Sequence, residues 1–160
     1  MAVADRVRTY LAKRGIVHSI HDLPPLTSLR QLADTWEGHS SRLVQGIVLK
    51  HDLGLLLIAM SATHSLYLDA LSKLLGRRME LADEARVKAV FSDCLPQFLP
   101  PLGEVYGVRM LVDESIALAK DLYFPGGGAD QLIQMSSRDF FAAQKTTSLV
   151  GDFTRPINGH

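Results

Sequence analysis

The sequence predicts an α+β domain: a mixed, largely antiparallel sheet with helices packed on it. Three observations carry that prediction. Apolar residues recur at helical spacing near the start of the chain and again between strand-like runs. Two apolar runs, at 43–50 and 55–60, flank a short turn containing Asp52 and Gly54, the pattern of a β-hairpin. The last third supplies three more strand-like pieces separated by turn residues.

The elements follow in order. Val3, Val7, Tyr10 and Leu11 share one face of a first helix, which Gly15 is placed to end. Residues 16–20 alternate, with Ile16, His18 and Ile20 on one side, as a short strand does, and Pro24-Pro25 breaks it. Thr27 or Ser28 caps a second helix carrying Leu29, Leu32, Ala33 and Trp36, with Gly38 as its stop. The hairpin comes next; its continuous hydrophobicity predicts strands covered on both faces, hence central ones. Leu68, Leu71, Leu74 and Leu75 stand in helical register within 63–76, ended by Gly76. Glu80-Leu81 reads as a strand end, and 83–91 as a helix turning Val87, Val90 and Phe91 inward. Strands are expected at 108–112, 121–124 and 131–135. Ser136 followed by Asp139 resembles a capping box that opens a helix through Ala143. Residues 145–160 have no periodicity and read as a tail or linker remnant, which leaves 1–144 as the domain.

Composition bounds the function. With 160 residues, 47% hydrophobic and 21% charged, the chain reads as one soluble domain. Its formal net charge of zero gives no general argument for nucleic-acid binding. One cysteine excludes an internal disulfide. The N-terminus carries charges too early and too mixed for a signal peptide. The longest apolar run, 53–60, falls far short of the roughly twenty residues a membrane span needs. A cytoplasmic protein with no membrane association is the expectation.

Few side chains announce chemistry. The histidines, His18, His21, His39, His51, His64 and His160, include no i, i+4 pair, and Cys94 has no cysteine partner, so no metal site is expected. The sequence places no base beside Cys94, which reads as a small buried apolar group. Gly126-Gly127-Gly128 lacks the lysine and hydroxyl of a phosphate loop and lies between strands; it reads as a turn, with close backbone approach to a ligand as the second reading. The loop at 93–103 is too long and too apolar for a plain surface turn, which makes it a candidate to line a site. Lys50 closes an apolar strand. Either it snorkels its ammonium to the surface, or it stands as a fixed cation at a pocket mouth, for a phosphate or a polarised carbonyl. Spacing alone leaves both readings open.

Several stretches taken together carry a family resemblance. Ile47-Val48-Leu49-Lys50 ends a strand; Phe91-Ser92-Asp93-Cys94 runs into Leu95-Pro96-Gln97-Phe98-Leu99-Pro100-Pro101-Leu102-Gly103; then come Leu111-Val112-Asp113-Glu114-Ser115, Leu122-Tyr123-Phe124, and Leu132-Ile133-Gln134-Met135-Ser136 after the glycine turn. In order and spacing this series resembles the YbaK/ProX family of aminoacyl-tRNA deacylases, related to the editing domain of bacterial prolyl-tRNA synthetases, over residues 1–144. The resemblance implies a barrel-like mixed sheet with flanking helices. It also implies hydrolysis, in trans, of the ester between a wrongly attached amino acid and the terminal ribose of tRNA. The resemblance places the family's lysine at Lys50 as the catalytic residue, its ammonium anchoring the tRNA 3′ end near the phosphate or the scissile carbonyl. The loop supplies Gln97, Phe98, Leu99, Pro100, Pro101 and Gly103 as substrate-binding residues, with Gly127 and Met60 added. Loop N–H groups would stabilise the developing oxyanion, each donor being worth about 3 kcal/mol of barrier. No cofactor or metal is implied; the partners are the tRNA acceptor end and an aminoacyl-tRNA synthetase. Relatives commonly carry Gly-Gly or Gly-Ala where Gln97-Phe98 stands here. Either the amino-acid pocket is reshaped, or the catalytic backbone is displaced and the domain is a catalytically silent tRNA- or ligand-binding module.

Overall fold

In the computed structural model, which describes residues 2–36, 40–144 and 149–157, the apolar runs become strands and the periodic segments helices. The order is α1 (Asp5–Lys13), β1 (Ser19–Asp22), α2 (Leu29–Thr35), β2 (Val44–His51), β3 (Gly54–Ser61), β4 (His64–Leu66), α3 (Leu68–Leu75) and β5 (Glu80–Leu81). It continues with α4 (Glu84–Val90), α5 (Gly103–Tyr106), β6 (Arg109–Asp113), β7 (Asp121–Pro125), β8 (Gln131–Ser136), α6 (Ser137–Ala142), β9 (Leu149–Gly151) and β10 (Thr154–Pro156). Local chemistry sets the helix starts. The Ser28 hydroxyl accepts from the Gln31 N–H at 3.1 Å, Asp83 from Arg86 at 2.8 Å, and Ser136 from Asp139 at 3.0 Å. Of the two candidate caps for α2, Ser28 is the one used; the expected stop at Gly38 lies outside the described residues.

β2 and β3 form the expected hairpin, in register from Val44 opposite Ser61 to His51 opposite Gly54. Both are interior strands of a five-stranded sheet ordered β5-β2-β3-β6-β9, in which β6 and β9 run parallel to their neighbours. β1, β8 and β7 make an antiparallel three-stranded sheet, and β4 pairs with β10. The sheet system is mixed, as expected, but it is not a closed barrel. Among the described residues an isolated Leu43–Tyr123 bridge links the two larger sheets, and short β5 and β9 leave the larger one with edges.

Alternation along the hairpin divides the core. Val44, Val48, Leu57 and Ala59 pack with Val7 and Leu11 of α1 and with Leu102 and Phe124. Leu49, Leu56, Ile58 and Met60 pack on the opposite face with Leu71, Leu111 and Phe153. A third cluster joins Leu29, Ala33 and Leu43 to Ala62, Phe98 and Leu132.

Four local differences separate structure from expectation. The first strand begins at Ser19 because the Ile16 N–H still bonds to the Leu11 carbonyl at 3.0 Å, closing the helix end. The helix expected over 63–76 starts only at Leu68, since 64–66 are drawn into β4 by pairing with 154–156. α5 forms in the Gly103–Tyr106 stretch that carried no helical signal. Finally, the segment read as a tail from 145 onward contributes β9 and β10 and buries Phe153 at 1% exposure. Strands of three residues are too short to show a period, and their partners lie far away in sequence. Residues 145–148 and 158–160 of that segment lie outside the described residues.

Candidate functional site

The most developed polar constellation is built where β6 ends. Asp113 is buried there at 1% exposure. Desolvation pushes its pKa up, but hydrogen bonds to the carboxylate outweigh that and hold it below the usual value. Oδ2 accepts from the Ser115 N–H at 2.9 Å and from the Thr154 hydroxyl at 2.7 Å, and Oδ1 accepts from the Phe153 N–H at 3.1 Å. An ionised carboxylate only accepts, so the Thr154 hydrogen is committed to Asp113. Thr154 Oγ1 must then accept from His64, whose Nδ1 lies 2.8 Å away. The relay therefore places a proton on His64 Nδ1, so that in the neutral ring the lone pair is on Nε2. Among the described residues Nε2 has no hydrogen-bond partner.

His64 is common to two cavities. One, of about 590 Å³, has Asp113, Glu114, Thr154 and Arg155 in its wall beside Ala117, Leu118 and Pro156, and its exposed lining is mainly apolar. The other, of about 320 Å³, is walled by Ile47, Ala62, Leu66, Leu68 and Leu81, with Gln45 and Arg30 as polar members. The Gln45 amide donates to the carbonyls of Ser61 at 3.2 Å and His64 at 3.4 Å. Ser61 in turn donates its N–H to the Ser115 hydroxyl at 3.1 Å. These bonds tie the end of the hairpin to the turn after β6 and set the position of β4.

Sequence reasoning missed most of this. His64 stood among six histidines without a visible partner, and Thr154 lay in the supposed tail. The available signal was Asp113-Glu114-Ser115, a polar triplet closing an apolar strand.

The expected site residues fall into separate groups. Pro100, Pro101 and Gly103 are buried, as are Phe98 and Leu99, whereas Gln97 is exposed. Gly127 is joined to this loop: its N–H donates to the Phe98 carbonyl at 2.9 Å, and its carbonyl accepts from the Leu95 N–H at 2.8 Å. Its φ of +110° and the 2.9 Å that would separate an added Cβ from Cys94 Sγ show why glycine stands there. The close approach is to the protein's own chain. Met60 faces the opposite side of the larger sheet, in the cluster of Leu49 and Phe153. Lys50 sits beside the hairpin turn, 37% exposed, with Nζ 3.9 Å from Glu80 Oε2. The loop meets β2 at Gly46, where an added Cβ would lie 3.3 Å from the Leu99 carbonyl oxygen. Lys50 is four residues further along, about 13 Å at strand rise, and neither Lys50 nor the loop lies in the wall of either cavity.

Cys94 is buried, and desolvation pushes its thiol up to about 12, beside the Tyr106 hydroxyl at 3.1 Å. Among the described residues no group of three or more His, Cys, Asp or Glu side chains is gathered to hold a metal ion. Among them, too, no helix is long and apolar enough to cross a membrane.

A family model described as the aminoacyl-tRNA editing domain matches residues 24–143, well over half of the chain. The chain belongs to this family. The resemblance to the YbaK/ProX deacylases read from the sequence is thereby established as kinship. The match takes in the 93–103 loop, His64 and Asp113 of this editing domain; Phe153 and Thr154 lie beyond it.

Solved structures agree on the fold. One described as "a putative trans-editing enzyme for prolyl tRNA synthetase" superposes with a TM-score of 0.80 at 21% identity, over 94% of this chain and 95% of that one. A hypothetical protein, APE2540, gives 0.81 at 19% identity, over 94% and 100%. A protein described as "a Putative signal transduction protein from Marinobacter aquaeolei VT8" gives 0.74 at 20% identity, over 93% of this chain but 30% of that one. The same fold thus stands alone in some proteins and forms part of a longer chain in another. A comparison with curated proteins gives no match.

Proposed function

We propose that this editing domain hydrolyses, in trans, the ester that joins a wrongly attached amino acid to the terminal ribose of a tRNA. The observation that carries the reading is the family match over 24–143. The geometry supports it. The smaller cavity, of about 320 Å³, suits a small or medium amino-acid side chain, and the larger, of about 590 Å³, offers carboxylate, hydroxyl and guanidinium groups to a ribose with its neighbouring groups. Phe98 is buried in the same core cluster as Ala62, a wall residue of the smaller cavity, and does not itself line that cavity, so its ring does not plug it. This favours an active site over a silent one.

The loop at 97–103 acts on this reading as a frame locked by the Gly127 bonds; it lines neither cavity, so the reading takes no oxyanion donor from its backbone. Lys50 acts at a distance from the ester. Its pairing with Glu80, at 3.9 Å and partly exposed, is of the kind worth about 0–1 kcal/mol, so the ammonium is readily given over to a tRNA phosphate. An aminoacyl-tRNA synthetase is the partner that supplies the mischarged substrate.

The test is a deacylation panel of alanyl-, cysteinyl- and seryl-charged mismatched tRNAs, with Lys50→Ala beside the wild type. The expected result is hydrolysis of one or a few, with the variant weakened mainly in KM. Folded wild-type protein that hydrolyses none of them overturns the proposal. Activity that appears only when Gln97 and Phe98 are replaced by Gly and Ala identifies a silent site instead.

A further inference from the structure

Resting on the hydrolytic reading above, we propose that His64 is the general base of the reaction, with Thr154 and Asp113 as positioning residues. A cavity-lining histidine with one ring nitrogen bonded and the other left to accept is the arrangement proton abstraction needs. Here the bonded side is built, not incidental. Asp113 is buried and accepts three hydrogen bonds, and Thr154 at 4% exposure has its hydrogen committed to it. The hydroxyl is therefore left as an acceptor, 2.8 Å from His64 Nδ1. The carboxylate also stabilises, through the hydroxyl, the positive charge that the imidazole gains. Neither expected catalytic feature, Lys50 nor the 97–103 loop, offers a proton acceptor.

The position fits the reaction. His64 lines both cavities, so an ester with its amino-acid side chain in one and its ribose in the other passes the imidazole. Nε2 takes a proton from water as the water oxygen bonds to the ester carbon. The C–O bond to the ribose then breaks, and the imidazolium returns its proton to the departing ribose oxygen. Water has been consumed, and the products are the free amino acid and a tRNA with its hydroxyl restored. His64 ends as it began. The charged groups that share the cavity walls with it are Asp113 at the end of β6 and Glu114 after it, Asp152 and Arg155 around β10, and Arg30 from α2. Arg155 is paired with Asp152 at 2.7 Å, so acidic groups outweigh basic ones in the larger cavity.

The test uses the same tRNA panel with three variants and two readouts. For the wild type kcat should rise with pH on an acidic limb of one proton, as the imidazole becomes neutral. His64→Gln should lower kcat by about 10²–10⁴-fold and flatten that limb. Thr154→Val should lower kcat at least tenfold, and Thr154→Ser should restore it; a purely structural Thr154 would move stability and leave the limb in place. Imidazole ¹⁵N NMR of the wild type, which needs neither activity nor a folded variant, should show His64 as Nδ1–H, and the Thr154→Val spectrum should lose that preference. Wild-type hydrolysis with a fully active His64→Gln overturns the role of His64 alone, as does an Nε2–H tautomer in the wild type. A wild type inert on the whole panel overturns the hydrolytic reading and the base together.

Discussion

Replacing Asp113 by Asn changes one oxygen into an NH₂ group at a position where all three neighbours are donors. If the amide oxygen takes the place of Oδ2, the bonds from Ser115 and Thr154 survive, but the NH₂ meets the Phe153 N–H donor to donor. The opposite orientation keeps one bond and opposes two. The better orientation loses a charge-assisted bond worth about 1.5–3 kcal/mol and leaves buried donors unsatisfied at about 1–3 kcal/mol each, while relief of carboxylate desolvation offsets part of the cost. The expected net loss is about 2–4 kcal/mol at pH 7, a fall of roughly 5–15 °C in Tm for a domain of this size. The pH dependence has a definite sign. The folded-state pKa of Asp113 lies below its ordinary value, so its contribution is complete above the unfolded value of about 3.9 and is lost as pH falls through the folded value. Urea unfolding of both proteins from pH 8 downward should give a constant gap that begins to narrow below about pH 4. A loss under about 0.5 kcal/mol, or a gap unchanged below pH 3, would refute the reasoning that three convergent donors hold the carboxylate ionised.

Three further outcomes follow from packing. Phe153→Ala should cost about 3–5 kcal/mol because the ring is almost fully buried against Leu71 and Leu111; thermal unfolding measures it, and a negligible change would mean that the C-terminal strands do not belong to the fold. Gly103→Ala places a Cβ 2.2 Å from the Val108 carbonyl oxygen, a backbone atom with little room to retreat, and should cost about 3 kcal/mol or more in the same assay. Cys94, with its thiol pushed up to about 12 by burial, should stay unmodified by a thiol reagent at pH 8 in the native state and react only when denatured, a contrast that mass spectrometry reads directly.

The legibility of the chain follows the range of its interactions. The hairpin, the helix starts at Ser28, Asp83 and Ser136, and the family of the chain could be read from neighbouring residues, because turns, caps and apolar periods are local. Lys50 and the 93–103 loop were also visible as unusual residues, yet nothing local could say how far apart they stand. β4 and β10 were invisible for a related reason: each has three residues, and each is a strand because of the other.

The sequence by itself determined that this is an α+β editing domain whose central hairpin is covered on both faces. Tertiary structure alone decided that Asp113, Thr154 and His64 form one hydrogen-bonded line ending at the residue common to two cavities. Those residues come from the end of β6, the start of β10 and the start of β4, with sequence separations of 41 and 90 along the two bonds. A hydrogen bond needs its atoms within about 3 Å, and only the folded chain brings residues so distant in sequence to that range.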